Sequence, residues 1–176
     1  VLLTKRELKD PDTGEIIFTD YTVQGHHVLK GENINDAAVR VLKDKTGLDN
    51  IYLEQFYTFG ETNRVLKDRD QLWIKKRFPM VEDHVISIGF CALVDSLKVI
   101  PDKQHPETLW MPVDNLPELG FDHEKMIHMA LEFLRNKLRL EPIGFELLPE
   151  KFTLTQLQNL YEAILGISLD RRNFWK

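Results

Sequence analysis

The sequence has a single cysteine and no long apolar run, and its charge is acidic rather than basic. One cysteine excludes an internal disulfide framework and fits a reducing compartment, so we expect a cytoplasmic protein with Cys91 as a buried structural thiol. No run approaches the ~20 apolar residues of a membrane helix, and no signal peptide is visible. A net charge of −5 argues against a chain coated with nucleic acid but leaves room for a local basic patch.

What is present suffices for one good-sized domain and a smaller remainder. The chain has 176 residues, 43% of them hydrophobic, and can therefore bury a core. Apolar runs and turn residues predict strands over residues 1–8, 15–18, 21–28, 51–59, 84–94 and 108–113. The run over residues 84–94 is continuous enough to be buried on both faces. Apolar residues at helical spacing predict helices over residues 33–47, 122–139 and 153–166, with another short one beginning at residues 168–170.

Particular residues mark where these helices begin and end. Asn33 and Asp122 are placed to cap the free amides of two helices, and Thr153 opens a third with a capping-box pattern. Gly47 and Gly166 are placed to end helices, where glycine adopts the left-handed conformation without strain.

A long polar and basic segment separates the strands predicted at residues 51–59 and 84–94. Its cations surround two aromatic residues, Trp73 and Phe78, and they are Lys67, Arg69, Lys75, Lys76 and Arg77. One interpretation is a solvated loop with a small aromatic anchor. The other is a lid or a contact surface for an anionic ligand, because long loops in compact domains often carry function.

Residues 25–48 carry glycine, charged and apolar residues at fixed spacing. The positions that define the spacing are Gly31, Glu32, Arg40, Leu42, Gly47 and Leu48. This frame resembles a Nudix box, which runs Gly, five residues, Glu, seven residues, then Arg-Glu-apolar-x-Glu-Glu-x-Gly-apolar. The three helical glutamates of that family are replaced here by Val41, Asp44 and Lys45. His26 stands at the position of the usual second glycine.

The replaced positions would carry the metal chemistry of a Nudix hydrolase. Residues at i, i+3 and i+4 share one helix face, so three carboxylates there would hold Mg²⁺ against a diphosphate. Glu32 and Asp44 could bind one ion weakly, whereas Lys45 would repel a metal and could attract a phosphate. We therefore expect the scaffold without the hydrolysis and without a cofactor, and Mg²⁺ only if the protein is a hydrolase after all.

The C-terminal residues 144–176 form a second module. Its two short predicted helices, joined by a turn at Gly166, resemble a helix-turn-helix. The second helix and its end carry Arg171, Arg172, Asn173 and Lys176. A solvated helical hairpin would have the same pattern, so both interpretations stay open on pattern alone.

Longer runs in this module resemble the linker and winged-helix domain of NrtR-type regulators, which are bacterial Nudix-related transcription factors. They are FELLPE at residues 145–150, FTLTQLQ at residues 152–158 and LDRRNF at residues 169–174. Upstream, YTFG at residues 57–60 with Asn63-Arg64, and FDH at residues 121–123, also resemble that family. The resemblance therefore covers nearly the whole chain.

The resemblance implies an α+β fold. It implies a Nudix α/β/α sandwich with a mixed sheet over residues 1–143 and a winged helix-turn-helix, here incomplete, over residues 144–176. It also implies a homodimer on palindromic operator DNA. In NrtR proper the effector is ADP-ribose or a related nucleotide and the regulated genes serve NAD metabolism. Related proteins of this architecture answer to sugar metabolites. We expect the natural protein to extend beyond both ends of this sequence.

We therefore expect a ligand-responsive bacterial transcriptional regulator that senses ADP-ribose or a related phosphorylated nucleotide or sugar. The ligand-binding candidates are Glu32, Arg40, Asp44, Lys45 and Arg64. The DNA-binding candidates are Thr155, Arg171, Arg172, Asn173 and Lys176. One alternative is a divergent, Mg²⁺-dependent Nudix pyrophosphatase for ADP-ribose, with Glu32 and Asp44 as the remaining ligands. The other is a Nudix-like binding domain without a DNA role, whose C-terminal helices serve only in dimer contacts.

Overall fold

A computed structural model describes residues 1–77, 85–99, 108–141, 143–148 and 150–174. Its strands are β1 (Leu2–Lys9), β2 (Ile16–Val23), β3 (Glu54–Phe59), β4 (Ser87–Cys91) and β5 (Thr108–Trp110). Its helices are α1 (Ile34–Thr46), α2 (Asp68–Arg77), α3 (His123–Leu140), α4 (Leu154–Leu165) and α5 (Arg171–Phe174), with one 3₁₀ turn (Phe145–Leu147). None of the helices in these ranges has the length and apolar character needed to cross a bilayer.

Strand β1 is the centre of a three-stranded antiparallel sheet in the order β2-β1-β5. The turn after β1 is closed by Asp10, whose carboxylate accepts two backbone N–H groups at 2.9 Å each. The side chain of Leu3 on β1 is fully buried against Leu119 and Ile127. These three residues form the core between the sheet and α3. Strands β3 and β4 form a second antiparallel sheet, in which Phe59 is fully buried.

The structure confirms the α+β class and corrects several strand predictions. The parallel part of the predicted mixed sheet is, among the described residues, one bridge between Tyr21 and Leu119. The prediction of two strands over residues 15–18 and 21–28 is wrong, because the ladder with β1 runs along β2 from Ile16 to Val23. The prediction that β4 is buried on both faces is also wrong. Its one buried residue is Gly89, and its other four residues are only partly buried.

Cys91 lies at the end of β4 and is half-buried rather than fully buried. Burial raises the pKa of its thiol to about 11. The thiol therefore stays protonated at neutral pH and is a poor nucleophile, because the thiolate is the reactive form.

Most of the predicted helix ends are confirmed. The Asn33 side chain accepts the N–H of Asp36 at 2.9 Å, and Gly47 adopts a left-handed conformation at the other end of α1. Thr153 forms the predicted capping box, and Gly166 ends α4 with a φ of 69°. The cap predicted at Asp122 is wrong, because that side chain makes no capping bond and pairs instead with an arginine 58 residues away.

The basic segment folds into a helix, so the solvated-loop interpretation is wrong for α2. Lys67 and Arg69 both donate to the carbonyl of Leu119 at 3.1 Å, and Arg69 also pairs with Glu118 at 2.5 Å. Two cations of the basic segment thus bond to the neighbouring loop that contains Glu118 and Leu119. The predicted aromatic anchor Phe78 lies outside the described residues.

A buried ion-pair cluster anchors α2 to the sheet. Arg6 on β1 is 4% exposed and contacts Asp20 through Nε at 2.7 Å and Nη2 at 2.5 Å. The same Nη2 donates to Asp70 of α2 at 2.5 Å. The other oxygen of Asp70 accepts the N–H of Phe121 at 2.9 Å. One guanidinium therefore joins two strands to α2, and Asp70 extends the connection to the loop before α3.

Three aromatic rings enclose this guanidinium. Its carbon lies 5.1 Å from the ring centroids of Phe18 and Trp73 and 4.5 Å from that of Phe121. A cation that close to ring faces is attracted by their quadrupoles, which offsets part of its desolvation. A Cβ on Gly120 would lie 2.5 Å from Arg6 Nη2, so a larger residue there would displace the guanidinium.

We expect Asp70→Ala to destabilise the fold strongly, because it leaves the buried Arg6 charge with one carboxylate fewer. Breaking a buried pair of this kind costs about 3 to 5 kcal/mol. The measurement is the free energy of unfolding in urea. The matched control is Asp68→Ala on the same helix, where the side chain is exposed and the change should be below about 0.5 kcal/mol. Equal losses in both variants would contradict the anchoring role of Asp70.

Candidate functional site

The loop before α1 is held by a bidentate ion pair between Glu32 and Arg40. Arg40 donates from Nε to Glu32 Oε1 at 2.7 Å and from Nη2 to Oε2 at 2.9 Å. The same Oε2 accepts the N–H of Leu29 at 2.9 Å, and Arg40 Nη2 also reaches the carbonyl of His27 at 3.0 Å. The hydrogen bonds from Arg40, and then from Leu29, lower the pKa of Glu32 to about 2. Glu32 is therefore ionised and engaged on both oxygens at neutral pH.

The adjacent face of α1 does not present a magnesium site. Val41 offers an alkyl group and Lys45 a cation, and the Asp44 carboxylate is 59% exposed and 3.9 Å from Arg40 Nη1. No three His, Cys, Asp or Glu side chains converge as a metal site anywhere in the described ranges. Magnesium needs oxygen ligands in near-octahedral geometry, usually carboxylates together with substrate phosphates. The residues present therefore do not fit the metal that hydrolysis of this kind would use.

Arg64 is engaged in a different contact. It pairs with Asp122 at the start of α3, with Nε and Nη2 at 2.7 and 2.9 Å from the two carboxylate oxygens. Its Nη1 donates to the carbonyls of Phe59 and Val85 at 2.9 and 3.1 Å. Three of the ligand candidates are thus close together, because Arg40 pairs with Glu32 and lies near Asp44. A fourth candidate, Lys45, lies on the same helix. Arg64 instead ties the end of β3 to α3, and a ligand-binding role for all five stays a prediction.

His123, beside the Arg64–Asp122 pair, is a partly buried, neutral side chain. Its Nδ1 accepts the N–H of Val23 at 3.2 Å, which requires an unprotonated nitrogen there. Burial lowers the pKa of the ring to about 4. The nearby Asp122 carboxylate favours the protonated ring, but this effect is smaller than that of burial. The ring therefore joins α3 to the end of β2 as a hydrogen-bond acceptor.

Helices α4 and α5 form one tightly connected unit. Gln158 donates to the carbonyl of Leu169 at 2.9 Å, and Glu162 accepts the N–H of Leu169 at 2.8 Å. The rings of Tyr161 and Phe174 meet edge to face with centroids 5.5 Å apart. These contacts span the turn between the helices, so α5 takes its orientation from α4.

Four of the five predicted DNA-contacting side chains lie on the outside of this unit. Thr155 in the first turn of α4 is exposed, and so are Arg171, Arg172 and Asn173 on α5. Lys176 lies outside the described residues. Exposed cations on a short second helix suit contacts to phosphates, and this role stays a prediction.

Sequence reasoning missed the junction between the two modules. Arg135 of α3 donates from Nε to the carbonyl of Ile164 in the last turn of α4 at 3.1 Å. A cavity of about 380 Å³ lies beside the linker, with a lining that includes Leu48, Cys91, Leu93, Leu134, Ile143 and Leu147. Because these residues come from separated segments, no local pattern in the sequence could have indicated the cavity.

Comparisons with known families agree with this two-part geometry. Residues 1–130 match the family model described as NUDIX domain, and residues 144–176 match the one described as NrtR DNA-binding winged helix domain. The chain therefore belongs to the Nudix family and combines a Nudix domain with an NrtR-type winged helix. The resemblance drawn from the sequence is thereby confirmed, while the boundary at residues 143 and 144 stays a prediction.

Two curated proteins are similar to this chain in sequence. An Acinetobacter baylyi protein named "ADPR responsive transcriptional repressor NtrR" is 32% identical over 146 residues, which is 81% of this chain and 52% of the relative. A Methanocaldococcus jannaschii protein named "ADP-ribose pyrophosphatase" is 30% identical over 107 residues, which is 61% of this chain and 54% of the relative. The chain thus spans about half the length of the curated relatives it matches.

Solved structures support the fold. Shewanella oneidensis NrtR is 24% identical with a TM-score of 0.69, covering 99% of this chain and 73% of that one. The same protein complexed with a 27mer DNA gives a TM-score of 0.70, covering 99% and 72%. A MutT/nudix family protein from Enterococcus faecalis is 20% identical with a TM-score of 0.69, covering 98% and 70%. At these identities the likeness concerns the fold alone.

We expect Glu32→Gln to destabilise the protein in a pH-dependent way. The pKa of Glu32 is lower in the folded state than its ordinary value of 4.5, so folding favours the ionised form. Its contribution is therefore complete above pH 4.5 and is lost as the pH falls towards 2. The measurement is the difference in unfolding free energy between the wild type and the variant across this range. Glu132→Gln, at an exposed position on α3, serves as the control. A difference independent of pH would contradict the ion pair.

His123 should make stability fall with acid in a higher pH window. Its folded pKa of about 4 lies below the ordinary 6.5, so the unfolded chain binds the proton more readily between these values. The unfolding free energy should decrease by up to about 1.4 kcal/mol per pH unit as the pH falls through this window. His123→Asn, which can still accept a hydrogen bond, should flatten that slope, whereas His128→Asn on the exposed side of α3 should leave it unchanged. Urea unfolding at pH 4 to 7 measures both.

Proposed function

We propose that this protein is a ligand-responsive bacterial transcriptional regulator. Its Nudix domain senses ADP-ribose or a related phosphorylated nucleotide or sugar, and its winged helix binds operator DNA. The observation that carries this proposal is a Nudix scaffold without a fitting metal site, packed through α3 onto an NrtR-type DNA-binding unit. The Acinetobacter relative, named as responsive to ADPR, supports the choice of effector.

The effector would lie at the loop and helix that carry the degenerate box. Lys45 and the partly exposed Arg40 guanidinium are two of the cations there, and both suit the phosphates of the effector without a bridging metal. The ligand controls DNA binding only if its affinity differs between two arrangements of the protein. We therefore assign the vestigial site to recognition rather than to catalysis.

The regulator would act as a homodimer in the bacterial cytoplasm, where its operators are. A palindromic operator presents two equal half-sites, and a two-fold symmetric dimer reads both at once. Light scattering of the full-length protein measures this assembly directly. A monomer at the concentrations that saturate operator DNA would contradict the dimer.

The first experiment measures DNA binding and its response to ADP-ribose with the full-length protein in EDTA. Bound fragments selected from a random DNA library define the operator, and fluorescence anisotropy then gives its affinity. We expect ADP-ribose to change that affinity by a factor of about 5 to 150, the usual range of coupling between two sites. No selected sequence, or equal affinity with and without ADP-ribose, would contradict this effector-controlled function. A screen of sugar phosphates would then follow. A response to one of them would show that only the choice of ADP-ribose was wrong, whereas no response would contradict effector control itself.

We expect Arg172→Ala to weaken operator binding and to lower the dependence on salt. Losing one phosphate contact should reduce the slope of log affinity against log salt concentration by about 1. The exposed Lys9→Ala on β1 is the control and should change neither quantity. An unchanged slope in Arg172→Ala would show that this residue does not contact a DNA phosphate.

A second candidate function is hydrolysis of ADP-ribose, favoured by the pyrophosphatase relative. The alkyl and ammonium groups at positions 41 and 45, where the Nudix box has carboxylates, argue against it. Chromatography of ADP-ribose incubated with the protein and Mg²⁺ would detect the two monophosphates that cleavage produces. Turnover that disappears in Glu32→Gln would replace the sensing function with catalysis.

A further inference from the structure

We propose that Arg135 is a positioning residue that sets the orientation of the DNA-binding unit relative to the Nudix domain. The side chain extends from α3 of the Nudix domain and bonds the last turn of α4, with Nε donating to the carbonyl of Ile164 at 3.1 Å. The functional part of this inference rests on the regulator function proposed above. Its structural part concerns the docking of the two modules and can be measured without any ligand.

The end of α4 needs a positive partner that its own sequence does not supply. The last four carbonyls of a helix have no partner within the helix, and the helix dipole places negative charge there. Gly166 satisfies one of these carbonyls by donating its N–H to Glu162 at 2.8 Å. The last turn of α4 contains no basic residue. Arg135 supplies the missing cation from another module, and it does so through a directional, charge-assisted hydrogen bond.

The guanidinium lies directly against the turn that follows α4. A Cβ on Gly166 would be 3.0 Å from Arg135 Nη2, and the φ of 69° already favours glycine there. An apolar contact completes the junction. Gly144, in the linker, is buried, and a Cβ there would lie 3.3 to 3.8 Å from side-chain carbons of Leu160, Leu93 and Ile164. The junction thus combines a non-directional apolar contact with one directional bond.

The directional bond has a route to the DNA-contacting side chains. Leu169 is held to α4 through Gln158 and Glu162, and the Tyr161–Phe174 pair fastens α5 onto α4. Because α4, the turn and α5 are connected in this way, a rotation of α4 against α3 moves Arg172 and Asn173 by the same rotation. Arg135 contacts no DNA in this scheme and acts through the angle between two helices.

The test compares three variants of the full-length protein. Arg135→Met keeps the length and helix propensity of the side chain but removes charge and donors, and Arg135→Lys keeps a cation and a donor. Arg139→Met, one turn further along α3 at an exposed position, is the matched control. Hydrogen exchange is followed in peptides covering residues 143–148 and 164–169, without DNA or ligand. Operator affinity is then measured with and without ADP-ribose.

We expect Arg135→Met to speed exchange about tenfold in both peptides, because loss of a charged hydrogen bond changes the docking equilibrium by that order. Its operator affinity should become less dependent on ADP-ribose by a similar factor. Arg135→Lys should restore both properties in part, and Arg139→Met should resemble the wild type. Faster exchange in the linker peptide separates undocking from a merely local loss of the helix cap.

Three outcomes would overturn the proposal. They are unchanged exchange in Arg135→Met, faster exchange confined to residues 164–169, and a full ADP-ribose response despite faster exchange in both peptides. A wild type that shows no DNA binding would contradict the regulator function instead. In that case, faster exchange in both peptides would still support Arg135 as the residue that docks the second module.

Discussion

The guanidinium of Arg6 joins elements that the chain separates widely. Its two aspartate partners lie on β2 and α2, and one of them also accepts the N–H of Phe121. A buried cation is tolerated only when carboxylates and hydrogen bonds compensate its desolvation, and three aromatic rings add to that compensation here. The position of α2, of Gly120 and of the start of α3 all depend on this compensation.

The loop that carries the degenerate box is held in shape by a side-chain ion pair and a backbone hydrogen bond. Glu32 is not left as an unpaired carboxylate, because Arg40 and a backbone N–H engage both of its oxygens. The loop therefore keeps a defined shape at neutral pH without a metal. A defined loop beside partly exposed cations suits the recognition of a phosphorylated ligand. Hydrolysis would in addition require a metal held in strict geometry.

Helix α3 is the element that relates the two modules. At its N-terminal end, Asp122 is paired with Arg64 and His123 is bonded to β2. Towards its C-terminal end, Arg135 bonds α4 while Lys137 forms an ion pair with Glu54 of β3. A rigid helix that contacts both sheets and the DNA-binding unit can transmit a displacement between them. The helix would therefore provide a physical route for the ligand control of DNA binding that we propose.

The sequence by itself determined most of the helix ends and the family. Asn33, Gly47, Thr153 and Gly166 mark helix ends because a cap is satisfied by groups within a few residues. The Nudix spacing and the winged-helix runs are equally local, so both modules were predictable, and so was the loss of helical carboxylates at Val41 and Lys45.

Only the tertiary structure decided which partners the charged residues take. Asp122 is of a residue type preferred at helix N-caps, yet it pairs with Arg64, which lies 58 residues away. Arg6 and Asp70 are 64 residues apart, and their bond accompanies a helix where composition had suggested a loop. The choice between a local cap and a distant ion pair depends on burial, because a desolvated charge needs an opposite charge more than a helix end needs an acceptor. Burial is a property of the assembled fold.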